Sequence, residues 1–499
     1  MLSVLVCHAY FLRLDPKQLD RAKPYPPLAT LQVAALLRSA GHRVALFDAM
    51  LCESLGEYEQ RLRDSAPELV VLYEDNYNFL TKMCLATMRR AACQMIAKAR
   101  RRGARVIVAG SDASDAPEVY LGAGADAVLL GEGLTSLMQL TARLDQARDC
   151  EAALLATGLP DVAHRDCAHP VRSPHRVRGT ATRQPELPAW DLIDIDRYRA
   201  VWRAAHGYFS LNMAASRGCS FRCAWCAKPI WGNQYLQRAA GEVAAELAHL
   251  KRCFAPDHVW FADDIFGFRT EWVREFAVAL RRLGGGVPFT IQSRADLMSG
   301  RMVAALAEAG CCEVWLGAES GSQRVLDAMN KGIRVEEIHT ARARLSVRGI
   351  RVGFFIQLGY LGEELEDIVA TRELLASARP DDVGVSVAYP LPGTRFHELV
   401  KAQLGAKTHW QASDDLAMMF RGTFTSDFYR AVRNLLHEQV RLAHLPPAVE
   451  LAQRIQAGRA LAERWDSLIA SAHQFRNTAA ASPSSAATAT LPPDAAAAS

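Results

Sequence analysis

The stretch that decides the fold is YFSLNMAASRGCSFRCAWC, residues 208–226. Its first nine residues predict a β-strand, and Cys219, Cys223 and Cys226 follow it in C-x3-C-x2-C spacing. One short loop with this spacing can wrap its thiolates around a single inorganic cluster. A four-iron cluster held by three cysteines keeps one iron open. The motif therefore predicts a [4Fe–4S] cluster that coordinates a substrate or cofactor.

The alternative for these cysteines is a zinc knuckle or a set of structural thiols. Zinc needs a fourth cysteine or histidine at short range. The nearest candidates are His206, across the strand, and His249 and Cys253, beyond a predicted helix. Local spacing therefore favours the iron–sulfur cluster. Cys311 and Cys312, at the start of a later strand, are predicted to be core thiols.

The strand before the cysteines opens a series of six βα units over residues 207–400. The strand segments are YFSLNMAAS, HVWFAD, VPFTIQS, CEVWLGA, RVGFFIQLG and DVGVSVAYP. Helical patterns such as EVAAELAHLKRCF lie between them, and this alternation predicts a parallel sheet. Six units fall short of the eight that close a full barrel, so we expect an open, partial (βα)6 barrel.

Another strand–helix series precedes it over residues 1–145. Its strand segments are SVLVCHA, VALFDAM, LVVLYED, RVIVAGS and DAVLLGEG. Five such units predict an N-terminal, doubly wound parallel sheet of flavodoxin-like or Rossmann-like type. Ligands of these sheets bind over the carboxyl ends of the strands. The polar segments at those ends are residues 73–76, 110–112 and 131–133.

The rest of the chain connects and follows these two α/β units. Residues 146–206 contain an Arg-, His- and Pro-rich piece and are predicted to be a linker. Residues 401–475 are predicted to be a helical C-terminal region. Residues 476–499 are Ala, Ser, Thr and Pro almost throughout, which predicts a disordered tail.

Chain length, net charge and the first residues bear on the number of domains, the kind of partner and the location of the protein. A chain of 499 residues is expected to hold two or three domains. The net charge of +4 is spread along the chain and gives no argument for a nucleic-acid or membrane partner. The start, MLSVLVCHAYFLRLD, carries no basic n-region or cleavage site, so it is interpreted as a first strand and the protein as cytoplasmic.

The cysteine motif, with Trp225 just before its last cysteine, resembles the radical S-adenosylmethionine superfamily. The resemblance implies that the open iron binds the amino and carboxylate groups of S-adenosylmethionine. One electron from the cluster would then cleave the C5′–S bond, giving methionine and a 5′-deoxyadenosyl radical that abstracts hydrogen from a substrate. It also implies an electron donor such as flavodoxin or ferredoxin.

The segments FADDIF, AESGSQ and PLPGT are similar to family segments at the carboxyl ends of the barrel strands, where α/β barrels place their working residues. Where the family usually has a Gly-Glu type of acidic pair, this chain has Asp263 and Asp264. Either could instead cap a helix, Arg294 could form a structural ion pair, and Glu319 could cap the next helix. The resemblance implies S-adenosylmethionine contacts from Asp263, Asp264, Arg294, Glu319, Ser320 and Gln357.

The front domain resembles the cobalamin-binding domain of class B radical methyltransferases and their relatives, through residues 25–48, 124–133 and 188–194. No D-x-H-x-x-G string occurs, so we expect a cobalt lower face without a protein histidine. Of the two front-domain histidines, His42 is predicted to lie on the surface and His8 at a strand end. Ordinary strand-end turns are the alternative for the implied corrin neighbours. Those neighbours are Tyr73, Glu74, Gly110, Ser111, Gly131, Glu132 and Gly133.

The leading hypothesis is a cobalamin-dependent radical enzyme that methylates an unactivated carbon or phosphorus centre of a small molecule. An alternative keeps both cofactors and performs oxidative cyclisation or rearrangement of a natural-product or tetrapyrrole precursor. Further alternatives are a barrel that works without cobalamin, and a cobalamin or iron–sulfur sensor without turnover.

Overall fold

A computed structural model describes residues 1–77, 86–147, 158–159, 161–164, 187–226, 234–405, 416–446 and 449–477. The predicted tail lies outside this set from residue 478 onward, as do residues 165–186 of the predicted linker. Within the described ranges, no helix combines the length and the apolar character that a membrane span requires.

The front sheet has six strands in the order β2-β1-β3-β4-β5-β6. The first five strands are parallel, which confirms the predicted doubly wound sheet, and their order is that of flavodoxin-like folds. Strand β6 adds an antiparallel edge and comes from the segment predicted as a linker. The strands are β1 Ser3–Cys7, β2 Arg43–Phe47, β3 Leu69–Tyr73, β4 Arg105–Ala109, β5 Ala127–Leu129 and β6 Val162–His164.

Helices cover both faces of this sheet because its strands are apolar on both sides. The front helices are α1 Pro16–Arg21, α2 Leu28–Ser39, α3 Leu55–Ser65, α4 Ala86–Arg101, α5 Ser111–Asp115, α6 Pro117–Ala123 and α7 Leu134–Gln146. Along β1, Val4 and Val6 pack into one core with α2 and α7, while Leu5 and Cys7 pack into a second core with α3 and α4.

The second sheet is an open half-barrel of six parallel strands in the order β14-β13-β12-β11-β10-β7. All six predicted strands are present, which confirms the partial (βα)6 barrel. A short antiparallel ladder, β8 with β9, follows the first strand and frames the cysteine loop. The strands are β7 Ser210–Met213, β8 Ser216–Gly218, β9 Tyr235–Gln237, β10 His258–Phe261, β11 Phe289–Ser293, β12 Cys311–Glu319, β13 Arg351–Leu358 and β14 Asp382–Val387.

Helices pack on the convex face of the half-barrel and extend beyond its last strand. The predicted C-terminal helical region is present, and α16 packs against β14, α14 and α17. The helices are α8 Ile195–His206, α9 Ala240–Phe254, α10 Thr270–Arg282, α11 Gly300–Ala309, α12 Gln323–Ala328, α13 Val335–Val347, α14 Leu365–Ala378, α15 Arg395–Leu404, α16 Ser426–Ala443 and α17 Leu451–Ala470.

The two sheets share an apolar core, and a front-domain segment inserts against the first barrel strand. The backbone oxygen of Pro26 accepts a hydrogen bond from Asn212 Nδ2 at 3.0 Å, and Tyr25 Oη lies 3.1 Å from Ser210 Oγ. Trp202 of α8 donates from its indole nitrogen to the oxygen of Pro24 at 2.6 Å. Segment 24–26 therefore fixes the front domain directly to the barrel.

Candidate active site

The cysteine loop begins where β8 ends. Cys219 is buried, Cys223 and Cys226 are half-buried, and none of the three is in a disulfide bond. The Cys226 N–H donates to the Cys223 oxygen at 3.3 Å, which closes a tight turn between these two cysteines. In the part of the chain that the structure describes, no three His, Cys, Asp or Glu side chains converge on one point as for a single metal ion. A cubane takes each thiolate on a different iron, so it does not require such convergence.

Neighbouring loops hold the cysteine loop in place through hydrogen bonds. Ala224 donates its N–H to the Met329 oxygen at 2.8 Å and accepts from the Phe396 N–H at 2.9 Å. Asn330 Nδ2 donates to the Arg222 oxygen at 2.9 Å. The loop is therefore attached to the segments that follow β12 and β14, and its position depends on the whole half-barrel.

Arg294, at the end of β11, acts as a clamp on this loop. Its guanidinium lies 3.7 Å above the centre of the Phe221 ring, and its Nη1 is 3.8 Å from Cys223 Sγ. It also pairs with Asp296 at 2.9 Å and donates to the Lys331 oxygen at 2.8 Å. The structural ion pair considered for Arg294 is present, and the same side chain touches a predicted cluster ligand.

Asp263, which follows β10, is buried and orients the turn that leads into β8. It accepts hydrogen bonds from the Ala215 N–H at 3.0 Å and from the Ser216 hydroxyl. Burial raises the pKa of Asp263 to about 7, although these hydrogen bonds favour the ionised form. Both carboxylate oxygens are thus engaged within the protein. Asp264 beside it is half-buried at the same rim.

Glu319 ends β12 in a left-handed conformation, with φ of 61°. A non-glycine residue there carries strain of about 1–3 kcal/mol. Its carboxylate forms a buried ion pair with Lys331 Nζ at 2.8 Å. A Cβ on Gly317 would lie 2.6 Å from Lys331 Nζ and 2.7 Å from Glu319 Oε1, so only glycine leaves room for the pair. Sequence patterns did not indicate Lys331, because it lies in a loop without periodicity.

Ser320 and Gln357 lie at the same rim of the half-barrel. The Ser320 hydroxyl is 3.2 Å from Thr371 Oγ1 and accepts from the Ser322 N–H at 3.1 Å. Gln357 is buried, and its side-chain oxygen has no hydrogen-bond partner among the described residues. An unpaired buried acceptor is costly, so it suits a site that a ligand completes.

Glu363 is a rim residue that the sequence patterns did not reveal. It is buried, and its Oε2 accepts from the Gly359 N–H at 2.6 Å. Its other oxygen is unpartnered within the described ranges. Burial raises the pKa of Glu363 to about 8. The LGEE string before α14 offered only a weak helix-start signal.

The predicted corrin-side residues of the front domain come together at the carboxyl ends of β3, β4 and β5. The Tyr73 hydroxyl donates to the Glu132 oxygen at 2.7 Å. Glu74 accepts from the Ala9 N–H at 3.0 Å, and burial raises its pKa to about 7. A Cβ on Gly110 would lie 2.9 Å from the Glu74 side chain.

The loop after β5 shows the same close packing. The Gly131 N–H donates to Ser114 Oγ at 2.9 Å. Gly133 has φ of 65°, and a Cβ there would lie 2.5 Å from Leu129. Ser111 begins α5 directly after Gly110. At Gly110 and Gly133 the place of a Cβ is taken by the protein's own side chains, so the close packing of this edge requires glycine.

One of the two front-domain histidines, His42, is buried where an exposed position was predicted. His8 is buried at the end of β1, and its Nε2 lies 2.8 Å from Asp48 Oδ1. Tyr198 of α8 donates to the other oxygen of Asp48 at 2.7 Å. His42, predicted to lie on the surface, is buried; that prediction was wrong. Its Nδ1 accepts from the Leu2 N–H at 3.3 Å, which draws the ring against β1.

The candidate active site spans the two α/β units through Arg217 and Glu132. Arg217, two residues before Cys219, forms an ion pair with Glu132 of the front domain. Their side chains are 9% and 17% exposed, so the pair is largely shielded from water. It brings the strand ends of the front sheet against the start of the cysteine loop.

Comparisons with known proteins agree with this arrangement. Residues 213–375 match the family described as the Radical SAM superfamily. An uncharacterized methyltransferase of Pyrococcus horikoshii is 24% identical over 377 residues, which are 75% of this chain and 78% of that protein.

Solved structures show the same fold. The radical S-adenosylmethionine methyltransferase TsrM of Kitasatospora setae, with cobalamin and a [4Fe–4S] cluster bound, has a TM-score of 0.62 and 19% identity, covering 81% of this chain and 79% of that one. The cobalamin-dependent S-adenosylmethionine radical enzyme OxsB, with aqua-cobalamin and S-adenosylmethionine bound, has a TM-score of 0.63 and 14% identity, covering 95% and 72%.

Proposed function

We propose that this chain, a radical S-adenosylmethionine enzyme with its radical domain over residues 213–375, is a cobalamin-dependent methyltransferase for a small molecule. The observation that carries the proposal is the buried ion pair between Arg217 and Glu132. It joins the predicted corrin-binding edge to the predicted cluster loop, so two cofactors bound there would face one shared space. We further propose that the acceptor is an unactivated carbon or phosphorus centre.

The residues present fit the cofactors that this function requires. Cys219, Cys223 and Cys226 lie on one loop outside any disulfide bond and would hold the cluster. Gln357 offers an unpartnered acceptor to the S-adenosylmethionine zwitterion. At the front sheet, Asn76 is fully buried, and its side-chain oxygen lacks a partner among the described residues. When bound, the cluster would supply the electron that cleaves S-adenosylmethionine, and cobalamin would supply a methyl carrier.

This chain's own residues would hold the cysteine loop in place and bind S-adenosylmethionine beside it. Arg294 and Asn330 keep the cysteine loop against the barrel, while Asp263 fixes the turn before it. The pair of Glu319 and Lys331 places both charge signs at the rim where a zwitterion would bind. We propose that Asp264 and Ser320 complete this S-adenosylmethionine site.

Anaerobic reconstitution of the full chain tests the proposal. We expect about four irons and four sulfides per chain, corrin absorbance that stays with the protein through gel filtration, and 5′-deoxyadenosine after reduction with S-adenosylmethionine. Replacing Cys223 by Ala removes the iron and the nucleoside product. Cys253→Ala, at an exposed cysteine outside the loop, leaves both unchanged.

The nucleoside products separate methyl transfer from its alternative. Methylation releases S-adenosylhomocysteine together with 5′-deoxyadenosine, whereas oxidative cyclisation or rearrangement releases no homocysteine product. Full 5′-deoxyadenosine formation by the Cys223 variant would overturn the cluster assignment. Protein that retains no corrin would overturn the cobalamin assignment.

A further inference from the structure

The concave face of the half-barrel differs in chemistry from its convex face. Convex residues such as Val259, Phe289 and Val314 are fully buried under the helices. On the concave face, four neighbouring strands each present one half-exposed aromatic or amide side chain. These are Trp260 on β10, Gln292 on β11, Trp315 on β12 and Phe355 on β13.

Trp315 and Phe355 form a stacked aromatic pair, termed here the platform. Their ring centres are 4.8 Å apart, and the rings are inclined by 29°. Offset stacking of this kind is a favourable geometry for two aromatic rings. Both side chains stay half-exposed, so part of the aromatic surface of the pair is open to a ligand.

Two glycines beneath the rings are required for the platform. A Cβ on Gly353 would lie 2.5–2.7 Å from three indole carbons of Trp315, closer than real Cβ contacts. A Cβ on Gly384 would lie 3.3 Å from the Phe355 ring and 3.5 Å from the indole. The indole therefore lies flat across β13 because these strands carry no side chain at that place.

A polar chain fixes the orientation of the indole. Trp315 Nε1 donates to Glu313 Oε2 at 3.3 Å, and the Thr290 hydroxyl donates to the same oxygen at 3.3 Å. Gln292 is the register neighbour of Trp315 on β11, so its amide borders the platform. The platform thus combines an apolar face with an adjacent hydrogen-bonding amide.

The platform lies at a suitable depth below the rim. Phe355 precedes Gln357 by two residues and Trp315 precedes Glu319 by four. At about 3.3 Å per residue, these positions are about 7 and 13 Å below the rim. A group that rests on the platform leaves the rest of a small molecule to extend towards the cluster loop.

We propose that the platform binds a flat, aromatic or conjugated ring of the substrate, with Gln292 bonding a polar group on that ring. This inference rests on the proposed function, since it identifies the substrate class of the same active site. Stacking on an aromatic pair favours a planar ring over a saturated one of the same size.

The test uses a matched pair of neutral probes, 2-naphthalenemethanol and its saturated counterpart decahydro-2-naphthalenemethanol. Binding to the reconstituted full-length enzyme is measured by ligand-observed saturation-transfer NMR. We expect the planar probe to bind at least tenfold more tightly than the saturated one. Trp315→Ala and Gly353→Ala should each weaken the planar probe at least tenfold.

Gly353→Ala keeps the indole but displaces it, and Gly241→Ala is its matched control because a Cβ there meets nothing within 4 Å. Thermal melting of each variant verifies folding. Equal affinity for both probes, or planar-probe binding that Gly353→Ala and Trp315→Ala leave unchanged, would overturn the platform. Probe binding needs no turnover, so a wild-type sample that binds the planar probe but forms no 5′-deoxyadenosine would instead contradict the proposed function.

Discussion

Arg217 and Glu132 form a buried ion pair across the boundary between the two α/β units. Arg217 belongs to β8, and Glu132 lies in the loop after β5, 85 residues earlier in the chain. The Tyr73 hydroxyl donates to the backbone oxygen of Glu132 and so holds the acidic partner in position. The pair therefore couples the geometry of the front sheet to the residue two places before Cys219.

Glu132→Gln is expected to destabilise the protein by about 3 kcal/mol, because it leaves the Arg217 guanidinium buried without its carboxylate. Urea unfolding monitored by circular dichroism measures this change. Glu53→Gln is the control, since Glu53 pairs with Arg13 on the surface and its loss should cost under about 1 kcal/mol. Equal losses of unfolding free energy from the two substitutions would show that the interdomain pair stabilises the protein no more than a surface pair does.

Arg294→Gln is expected to lower the iron bound after reconstitution at least twofold. The substitution removes the cation that stacks on Phe221 and contacts Cys223 Sγ, so the loop loses its clamp. Iron and acid-labile sulfide per chain are the measured quantities. Arg301→Gln, at an exposed position on α11, should retain the wild-type content. Wild-type iron in the Arg294 variant would refute the clamp.

Gly321→Ala is expected to destabilise the protein by about 3 kcal/mol or more. The added Cβ would lie 2.2 Å from the Ala370 oxygen and 2.7 Å from Thr371 Cα, and backbone atoms cannot rotate away. Thermal unfolding measures the loss. Gly300→Ala, where a Cβ meets nothing within 4 Å, is the control and should stay within about 1 kcal/mol of the wild type.

Glu363→Gln is expected to change how stability depends on pH. Burial raises the pKa of Glu363 to about 8, so the folded state holds a proton that the unfolded state releases above about pH 4.5. The free energy of unfolding of the wild type therefore falls as pH rises from about 5 to about 8. The Gln variant has no carboxyl to titrate, so its free energy of unfolding lacks this fall. Each unit by which the pKa is raised corresponds to about 1.4 kcal/mol of unfolding free energy.

Melting temperatures of the wild type and of Glu363→Gln, taken from pH 5 to pH 9, check this expectation. The melting temperature of the Glu363 variant should rise relative to that of the wild type as pH increases. Glu366→Gln, at an exposed position of α14, should have the same pH dependence as the wild type. Parallel curves for the Glu363 variant and the wild type would show that this carboxyl titrates normally.

Local patterns predicted the elements whose side chains follow a simple period. The strands β1–β5 and the six barrel strands are apolar runs bounded by helical patterns, and each is present in the structure. The cysteine loop was also predictable, because its three thiols are close in the sequence.

Contacts between distant segments were not predictable in the same way. Strand β6 has three residues and pairs antiparallel at an edge, so its sequence carries almost no periodic signal. Lys331 and Glu363 become notable only through burial beside Glu319 and Gly359. Arg217 stood next to the predicted motif, but its partner depends on how the two sheets pack.

The insertion of residues 24–26 against β7 limits how this enzyme can be recombined by protein engineers. Backbone oxygens of Pro24 and Pro26 accept hydrogen bonds from Trp202 and Asn212, so the front unit supplies part of the wall of its neighbour. A chimera that grafts a foreign cobalamin module onto this half-barrel would have to carry that proline-rich segment with it. Shuffling libraries should therefore keep residues 24–26 together with Trp202 and Asn212 and place their crossover points elsewhere.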